Sequence, residues 1–365
     1  MQPIPPPTTA TPPPPLPSAG ASLQSAHTIR SRSRSSRIAL FFACVIWYRI
    51  AAGLASSSAN GFAVRFDLAA GQPLIEAVAL LFLVLLGLAV LRTMERTLIP
   101  LRLNLGLPSR MTAREEWSLG AALGWAVAAG SALILVLTKS LNVQLWTSPH
   151  AFVLLGLGAA ALALSTLAKL LAIYGYGFQH IIEASGPVRA TVVLLILVGL
   201  DAATTPTPYG TADGVRVLVA VLAALVFCLC WLRSRGLWLG WGMWFGWSAS
   251  TALLFGLPLG ASFPETAVVD ARVSGPLWVT GGFYGPAASI LLGLLLICSI
   301  PLLIRLSDEY AWLYTRQPLV PAGIPVEIPP PAAHETLEPS PAPPPPLVQI
   351  QPVAASPLTQ DGSSH

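Results

Sequence analysis

The stretch Pro73–Leu91 reads PLIEAVALLFLVLLGLAVL and contains a single ionisable residue, Glu76. A helix of this length rises about 28 Å at 1.5 Å per residue, which is close to the thickness of the hydrocarbon core of a bilayer. An apolar run of this length therefore predicts a transmembrane helix. The same pattern recurs on both sides of it along the chain.

Seven further apolar runs are interpreted in the same way. They lie at 38–55, 118–138, 151–173, 187–200, 215–232, 237–258 and 286–306. All but the run 187–200 reach the roughly 17–25 residues that a spanning helix needs. Because that short run follows Ser185-Gly186, we expect its beginning to be broken or buried among neighbouring helices. The sequence thus predicts an all-α, polytopic membrane protein with about eight transmembrane helices.

The composition excludes several classes of protein. Of the 365 residues, 54% are hydrophobic and 10% are charged, whereas soluble domains carry about 25% charged residues. A soluble enzyme is therefore excluded, and no basic patch with interleaved aromatics indicates binding to nucleic acid. The four cysteines, Cys44, Cys228, Cys230 and Cys298, lie inside apolar runs, so neither a disulfide framework nor a zinc site is predicted. The predicted environment is a lipid bilayer, without a cofactor or metal.

Proline divides the chain into a membrane part and two tails. The predicted divisions are a disordered Pro- and Arg-rich tail (1–37), two transmembrane helices with a cytoplasmic loop (38–110), a six-helix membrane core (111–306) and a disordered Pro-rich tail (307–365). The basic flank before 38–55 and the small residues Ser57-Ser58-Ala59 also fit a cleaved secretory signal. The many spans that follow favour an uncleaved first helix.

The basic residues predict the orientation of the spans. One set of loops and tails contains Arg30, Arg32, Arg34, Arg37, Arg92, Arg96, Arg102, Arg110, Arg114, Arg189, Arg233, Arg235, Arg305 and Arg316. The opposite set holds Arg65, Lys139 and Arg272, with Arg216 at its edge. Since basic residues accumulate on the cytoplasmic side, both termini are predicted to be cytoplasmic.

Ionisable residues inside the spans are few, and these are the natural candidates for function. They are Arg49, Glu76, Lys169 and Asp201, with Lys139, His180 and Glu183 at span ends. Glu115-Glu116, before the third span, is predicted to be a solvated pair that favours the start of a helix. The stretch Leu237–Trp247, LWLGWGMWFGW, predicts close helix packing at Gly240, Gly242 and Gly246.

Residues 115–305 contain four short sequence motifs that resemble those of one protein family and occur in the same order. The blocks are Gly175-Tyr176-Gly177-Phe178-Gln179 with Gly186-Pro187, similar to RGYLFQ…GP; Val192–Asp201, in the place of SSLLFGLLH; Arg235–Ser248 with Phe255–Pro258, similar to SLWLPIGLHFGWN and its continuation; and Gly275–Pro286, similar to GPEWLTGGAFGPE. They resemble the CPBP family, the CAAX prenyl protease and bacteriocin-processing (Abi) group of intramembrane endopeptidases. The resemblance implies a CPBP-like helical bundle in a bacterial inner membrane.

The family's catalytic motifs fall on different residues in this chain. EExxxR falls on Lys169, Leu170 and Tyr174; FxxxH falls on Leu197 and Asp201; HxxxN falls on Trp244 and Ser248. Lysine, leucine and tryptophan at these positions do not supply the general base that activates water. The resemblance therefore implies a catalytically inactive pseudo-protease. Its pocket, lined by Lys169, Tyr174, Asp201 and Trp244, would bind a peptide or a membrane-protein partner, with Lys169 paired to Asp201.

Two other hypotheses remain open. An active intramembrane endopeptidase could use Asp201 with His180 or Glu183, and it requires these groups to converge on one cavity. His180 and Glu183 share a helix face at i and i+3, which fits either a pair of metal ligands or two interfacial polar residues. A transporter-like protein would use the short run 187–200 to line a pathway. The chain lacks the paired interrupted helices typical of that class.

Overall fold

The computed structural model describes residues 34–95, 105–108, 110–145, 149–207, 213–260 and 267–310. The helices in these ranges are α1 (Arg34–Phe66), α2 (Gln72–Glu95), α3 (Ala113–Leu137), α4 (Pro149–Lys169), α5 (Phe178–Ser185), α6 (Pro187–Thr204), α7 (Asp213–Ser234), α8 (Trp238–Ala249), α9 (Leu277–Thr280) and α10 (Ile290–Leu306). Short 3₁₀ segments lie at Ala69–Gly71 and Gly282–Ala288. The strands β1 (Leu141–Leu145) and β2 (Val269–Val273) pair antiparallel, with Leu141 opposite Val273.

Long apolar helices confirm a multi-pass membrane protein. Within the described ranges, seven helical segments are long and apolar enough to cross a membrane: Arg34–Phe66, Ala69–Glu95, Ala113–Leu137, Phe152–Ser185, Pro187–Thr204, Asp213–Ser234 and Gly282–Leu306. The predicted span 237–258 falls short of this length. It forms α8 and then a π-helical segment, Ser250–Leu254, before the chain leaves the helix.

The first helix and the helix after Gly186 differ from their predicted bounds. The first helix begins at Arg34, inside the predicted N-terminal tail, while the rest of that tail and residues 311–365 lie outside the described residues. The helix after Gly186 is longer than predicted and ends at Thr204. Its beginning is not buried, since Val188 is 75% exposed. Pro187 opens this helix because the first helical turn does not need a backbone N–H from that position.

The closest packing in the bundle joins α3 to α8. A Cβ atom on Gly242 would lie 2.0 Å from the carbonyl oxygen of Trp117, and one on Gly246 would lie 2.2 Å from that of Ala121. The contacts advance in the same order on both helices, so α3 and α8 run parallel. The predicted close approach thus occurs at Gly242 and Gly246, whereas the nearest neighbour of Gly240 is a side-chain atom of Phe227 at 3.5 Å.

Two backbone hydrogen bonds join the chain before α3 to the start of α8, and the chain after α3 to the end of β2. Before α3, the Leu237 N–H donates to the Gly106 carbonyl at 2.8 Å. After α3, the Ser274 N–H next to β2 donates to the Ser140 carbonyl next to β1, also at 2.8 Å. Between these points the chain passes through α8 and the π-helical segment Ser250–Leu254. The chain therefore enters α8 beside the residues that precede α3, and after α8 it leads to the β1–β2 ribbon, which lies beyond the end of α3.

Glu116 departs from the solvated pair that the sequence predicts. Its side chain is fully buried at the start of α3, although the neighbouring Glu115 is exposed. The Thr112 hydroxyl donates to the Glu116 carboxylate at 3.0 Å, and Arg110 lies 3.4 Å from it. Arg110 also donates to the Ser234 carbonyl at 2.5 Å. The buried carboxylate thus helps to join the start of α3 to the end of α7.

Candidate functional site

A cavity of about 380 Å3, here called the chamber, lies inside the bundle. Its lining contains Lys169 at the end of α4, Asp201 in α6, and Trp244 and Ser248 in α8. These four positions come from three separate motif blocks of the sequence. The fold brings them to one internal surface, and most of the remaining lining consists of aliphatic and aromatic side chains.

The other three predicted motif positions lie outside the chamber lining. Leu170 and Tyr174 are buried in a π-helical segment, Leu170–Gly177, that continues α4. Leu197 packs against the hydrophobic core between α1, α4 and α7. The Tyr174 ring contacts Phe227 edge-on, with ring centroids 5.5 Å apart. Since Phe227 lines the chamber, Tyr174 supports the wall from behind.

Lys169 is the lining cation without a counter-ion in the described structure. Its ammonium lies 4.7 Å from the centroid of the Trp244 ring, a geometry that allows a cation–π interaction. Among the residues that the structure describes, no carboxylate lies within 4 Å of it and no hydrogen bond reaches it. A charged side chain inside a membrane bundle is a functional candidate, because its burial is costly unless a partner or ligand compensates for it.

Asp201 pairs with Arg49 of α1 and not with Lys169. The Arg49 guanidinium donates to the Asp201 carboxylate, and the two side chains are 57% and 50% exposed. Among the described residues, Lys169 and Asp201 thus do not form the predicted ion pair within 4 Å, because the long Arg49 side chain of α1 reaches the Asp201 carboxylate instead. The Asp201 charge still acts on the Lys169 ammonium from a greater distance.

The Ser248 hydroxyl is occupied within its own helix. It donates to the Trp244 carbonyl at 2.8 Å, one turn earlier in α8. Seryl and threonyl side chains of α4 behave similarly, since Thr166 donates to the Leu162 carbonyl at 2.6 Å. Within the described lining, no hydroxyl forms a hydrogen bond to a histidine, lysine or carboxylate that would activate it as a nucleophile.

Two π-helical segments begin close to chamber residues. One follows directly after Lys169, and the other begins two residues after Ser248. Such segments are rare and are often found at functional sites, because the extra residue in the turn changes the direction of nearby side chains. No sequence signal predicted them, and they provide independent support for the chamber as the functional site.

Arg216 is a lining residue that the sequence analysis placed only at the edge of a span. It is 4% exposed, and its guanidinium donates to the Ala202 and Thr205 carbonyls at the end of α6. It also lies 5.2 Å from the centroid of the Tyr284 ring. A cation at a helix C-terminus is favourable because it interacts with the negative end of the helix dipole.

His180 and Glu183 do not reach the chamber. The His180 Nε2 atom lies 3.4 Å from the Glu95 carboxylate, and Glu183 lies 3.3 Å from Arg37. Tyr176 donates to Glu95 at 2.6 Å, so Glu95, which the sequence analysis did not single out, is the centre of this second polar cluster. The described residues contain no group of three or more His, Cys, Asp and Glu that could hold a metal ion.

A second cavity, of about 470 Å3, adjoins the chamber. Leu162, Ser165 and Leu259 line both cavities. The second cavity lies between α2 and α4, and its walls are mainly aliphatic. Its described lining contains one carboxylate, Glu76.

The chamber therefore combines a mainly apolar lining, an ammonium with no carboxylate within 4 Å among the described residues, and an aspartate held by an arginine. This arrangement can bind a ligand, but its described residues do not form a nucleophile–base pair. Comparisons of the chain with protein-family models, with curated proteins and with solved structures find no match.

Proposed function

We propose that the protein is a non-catalytic relative of the CPBP intramembrane endopeptidases, whose chamber binds a peptide or a membrane-protein partner without cleaving it. The observation that carries the proposal is the convergence of Lys169, Asp201, Trp244 and Ser248 on one cavity. These positions align with the family's motifs by sequence alone. An arbitrary alignment would scatter such positions over the bundle.

The chemistry of the lining supports binding rather than hydrolysis. Peptide hydrolysis needs a base that deprotonates water and a donor positioned for the oxyanion that forms. Asp201 is held by Arg49, Ser248 donates to its own helix, and Trp244 has no basic nitrogen. The alternative endopeptidase also requires His180 or Glu183 near Asp201, and these two residues pair with Glu95 and Arg37 instead.

We further propose that both termini lie on the cytoplasmic side, in a bacterial inner membrane. The parallel packing of α8 on α3 supports an additional traverse beside the seven long helices, which makes the number of traverses even. The arginine bias of the loops supports a cytoplasmic position for both ends. The bacterial membrane is implied by the family resemblance.

Hydrolysis of a membrane reporter tests the proposal. The wild type and Asp201→Asn are reconstituted in liposomes with a fluorescence-quenched transmembrane peptide. We expect the same rate of cleavage as in protein-free liposomes for both proteins, because no base is available in the chamber. Cleavage by the wild type that Asp201→Asn abolishes would instead support the endopeptidase hypothesis.

Two matched controls complete this experiment. Ala220→Phe places a ring in the chamber lining, while Leu218→Phe changes a 51% exposed side chain on the same helix. The wild type and Leu218→Phe should bind the uncleaved reporter peptide, whereas Ala220→Phe should not bind it. Equal retention by both variants would show that the chamber does not bind the reporter.

A revertant tests the family relationship separately. It combines Lys169→Glu, Leu170→Glu, Tyr174→Arg, Asp201→His, Trp244→His and Ser248→Asn. If the scaffold is of the CPBP type, the revertant should cleave the reporter while the wild type does not. An inert revertant with the elution volume and thermal stability of the wild type would count against the relationship.

A further inference from the structure

We infer that the chamber binds an anionic single-chain amphiphile, with a carboxylate or phosphate head at Lys169 and an apolar chain in the adjoining cavity. This inference goes beyond the proposed function. It depends on the chamber and its second cavity, and it requires neither the family resemblance nor the absence of hydrolysis.

The charge of the lining indicates an anionic head group. Asp201 is already paired with Arg49, and Arg216 lies 3.9 Å from the Asp213 carboxylate. Lys169 thus remains the cation of the described lining with no carboxylate within 4 Å. A bound carboxylate or phosphate would supply a counter-ion in direct contact with this ammonium.

The hydrogen-bonding groups of the lining lead to the same conclusion. The Lys169 ammonium has no hydrogen-bond acceptor among the described residues. The lining hydroxyls of Ser165 and Ser248 donate to backbone carbonyls of their own helices. The Lys169 ammonium is therefore an unused donor, and a ligand bound at it must bring an acceptor. A carboxylate or phosphate meets this need.

The second cavity accounts for the apolar chain. It shares Leu162, Ser165 and Leu259 with the chamber and continues along the aliphatic faces of α2 and α4. Both cavities fall in the range of about 300–1,000 Å3 that is usual for small-molecule sites. Glu76, in the wall of the second cavity, repels an anionic head. The charges thus orient the ligand with its head at Lys169.

Equilibrium binding of radiolabelled palmitate to the full chain in phosphatidylcholine nanodiscs tests the inference. We expect saturable binding, competition by hexadecyl phosphate, and no competition by hexadecyltrimethylammonium or by acetate. The relative strength of unlabelled palmitate and hexadecyl phosphate as competitors distinguishes a carboxylate head from a phosphate head. Non-saturable binding, or equal competition by the cationic amphiphile, would overturn the inference.

Variants of the head-group site locate the binding. Lys169→Met should weaken palmitate binding at least tenfold, and Lys169→Arg should largely restore it. Lys139→Met, which removes an exposed lysine beyond α3, should leave the affinity unchanged. Wild-type affinity in Lys169→Met would exclude the chamber as the head-group site.

Variants of the chain site provide a second, separate readout. Leu157→Trp fills the cavity between α2 and α4, and Val153→Trp adds the same ring at a 68% exposed position of α4. Leu157→Trp should lower the affinity for palmitate much more than that for octanoate, whereas Val153→Trp should change neither. An equal loss for both chain lengths would show that the chain does not enter the second cavity. Cleavage of the peptide reporter would refute the proposed function without affecting any of these results.

Discussion

The ion pair between Arg49 and Asp201 joins two helices at the outer surface of the bundle. Arg49 lies near the middle of α1, and more than half of its side chain is exposed. In the centre of a bilayer, a single arginine or aspartate costs about 2.5–3.5 kcal/mol on insertion scales. Each residue of the pair thus reduces the free-energy cost of placing the other in lipid. The pair also holds the Asp201 carboxylate at the edge of the chamber.

A double-mutant cycle of Arg49→Met and Asp201→Asn measures this mutual dependence. Each single variant should lower the free energy of unfolding, and the double variant should lose less than the sum of the two losses. The expected coupling is about 1–3 kcal/mol, because each single variant leaves one charge without its partner. Unfolding in mixed micelles with increasing SDS provides the measurement.

The pair Arg37–Glu183 is the matched comparison for this cycle. It joins the start of α1 to α5 near the ends of the helices, with the side chains 28% and 53% exposed. Because water can solvate a charge at this position, its cycle should give a coupling of about 0–1 kcal/mol. If the losses in the free energy of unfolding caused by Arg49→Met and Asp201→Asn are additive in the double variant, the ion pair does not stabilise the bundle.

At the scale of elements, the contact between α3 and α8 depends on residues without side chains. Two glycines of α8, Gly242 and Gly246, face backbone atoms of α3, and α3 presents Gly120 and Gly124 to α8 in return. The Trp117 ring packs beside this contact, 6.0 Å from Trp241 between centroids. Close backbone contact allows dispersion forces to hold helices together in lipid, where hydrophobic burial adds little.

Substitution of Gly242 by alanine should therefore be unusually harmful. The added methyl group meets a backbone oxygen and cannot be accommodated by a side-chain rotation, so we expect a loss of about 1–3 kcal/mol. Gly156→Ala is the control, because nothing lies within 4 Å of its added Cβ. In a helix that variant should be neutral or stabilising by up to about 1 kcal/mol. Equal melting temperatures for the two variants would contradict the packing between α3 and α8.

At the scale of the whole molecule, α8 decides on which side the C-terminal region lies. Seven traverses would leave the beginning of α1 and the end of α10 on opposite sides of the membrane. In the topology that we propose, the path of α8 from the start of α3 to the β1–β2 ribbon forms an eighth traverse, although the helical segment is short. Its partners in the bundle replace lipid along much of its length, so a shorter apolar helix can still cross.

Labelling of single cysteines with a membrane-impermeant maleimide tests this topology. Ser35→Cys and Asp308→Cys should react from the same side of the membrane, and Thr138→Cys should react from the other side. Replacement of the exposed Cys298 by serine removes a native thiol from the background, while Cys44, Cys228 and Cys230 are buried. Reaction of Ser35→Cys and Asp308→Cys from opposite sides would mean that α8 does not cross.

The sequence by itself determined that the protein is a multi-pass helical membrane protein and where most spans lie. Partition into a bilayer is a property of a continuous segment, because the transfer free energy adds along about 20 residues and needs no distant contact. The ends of helices were less predictable. The break at Gly186, with φ of 87°, is visible as Gly-Pro, but the extension of α1 to Phe66 is not.

Only the tertiary structure decided which polar groups meet. Arg49 and Asp201 are 152 positions apart, so their pairing depends on the tertiary arrangement of α1 and α6 and leaves no local trace in the sequence. The arrangement of the other helices gathers His180 and Tyr176 around Glu95 and opens a second cavity beside the chamber. Ion pairs and cavities arise from distances between helices, which composition and periodicity do not specify.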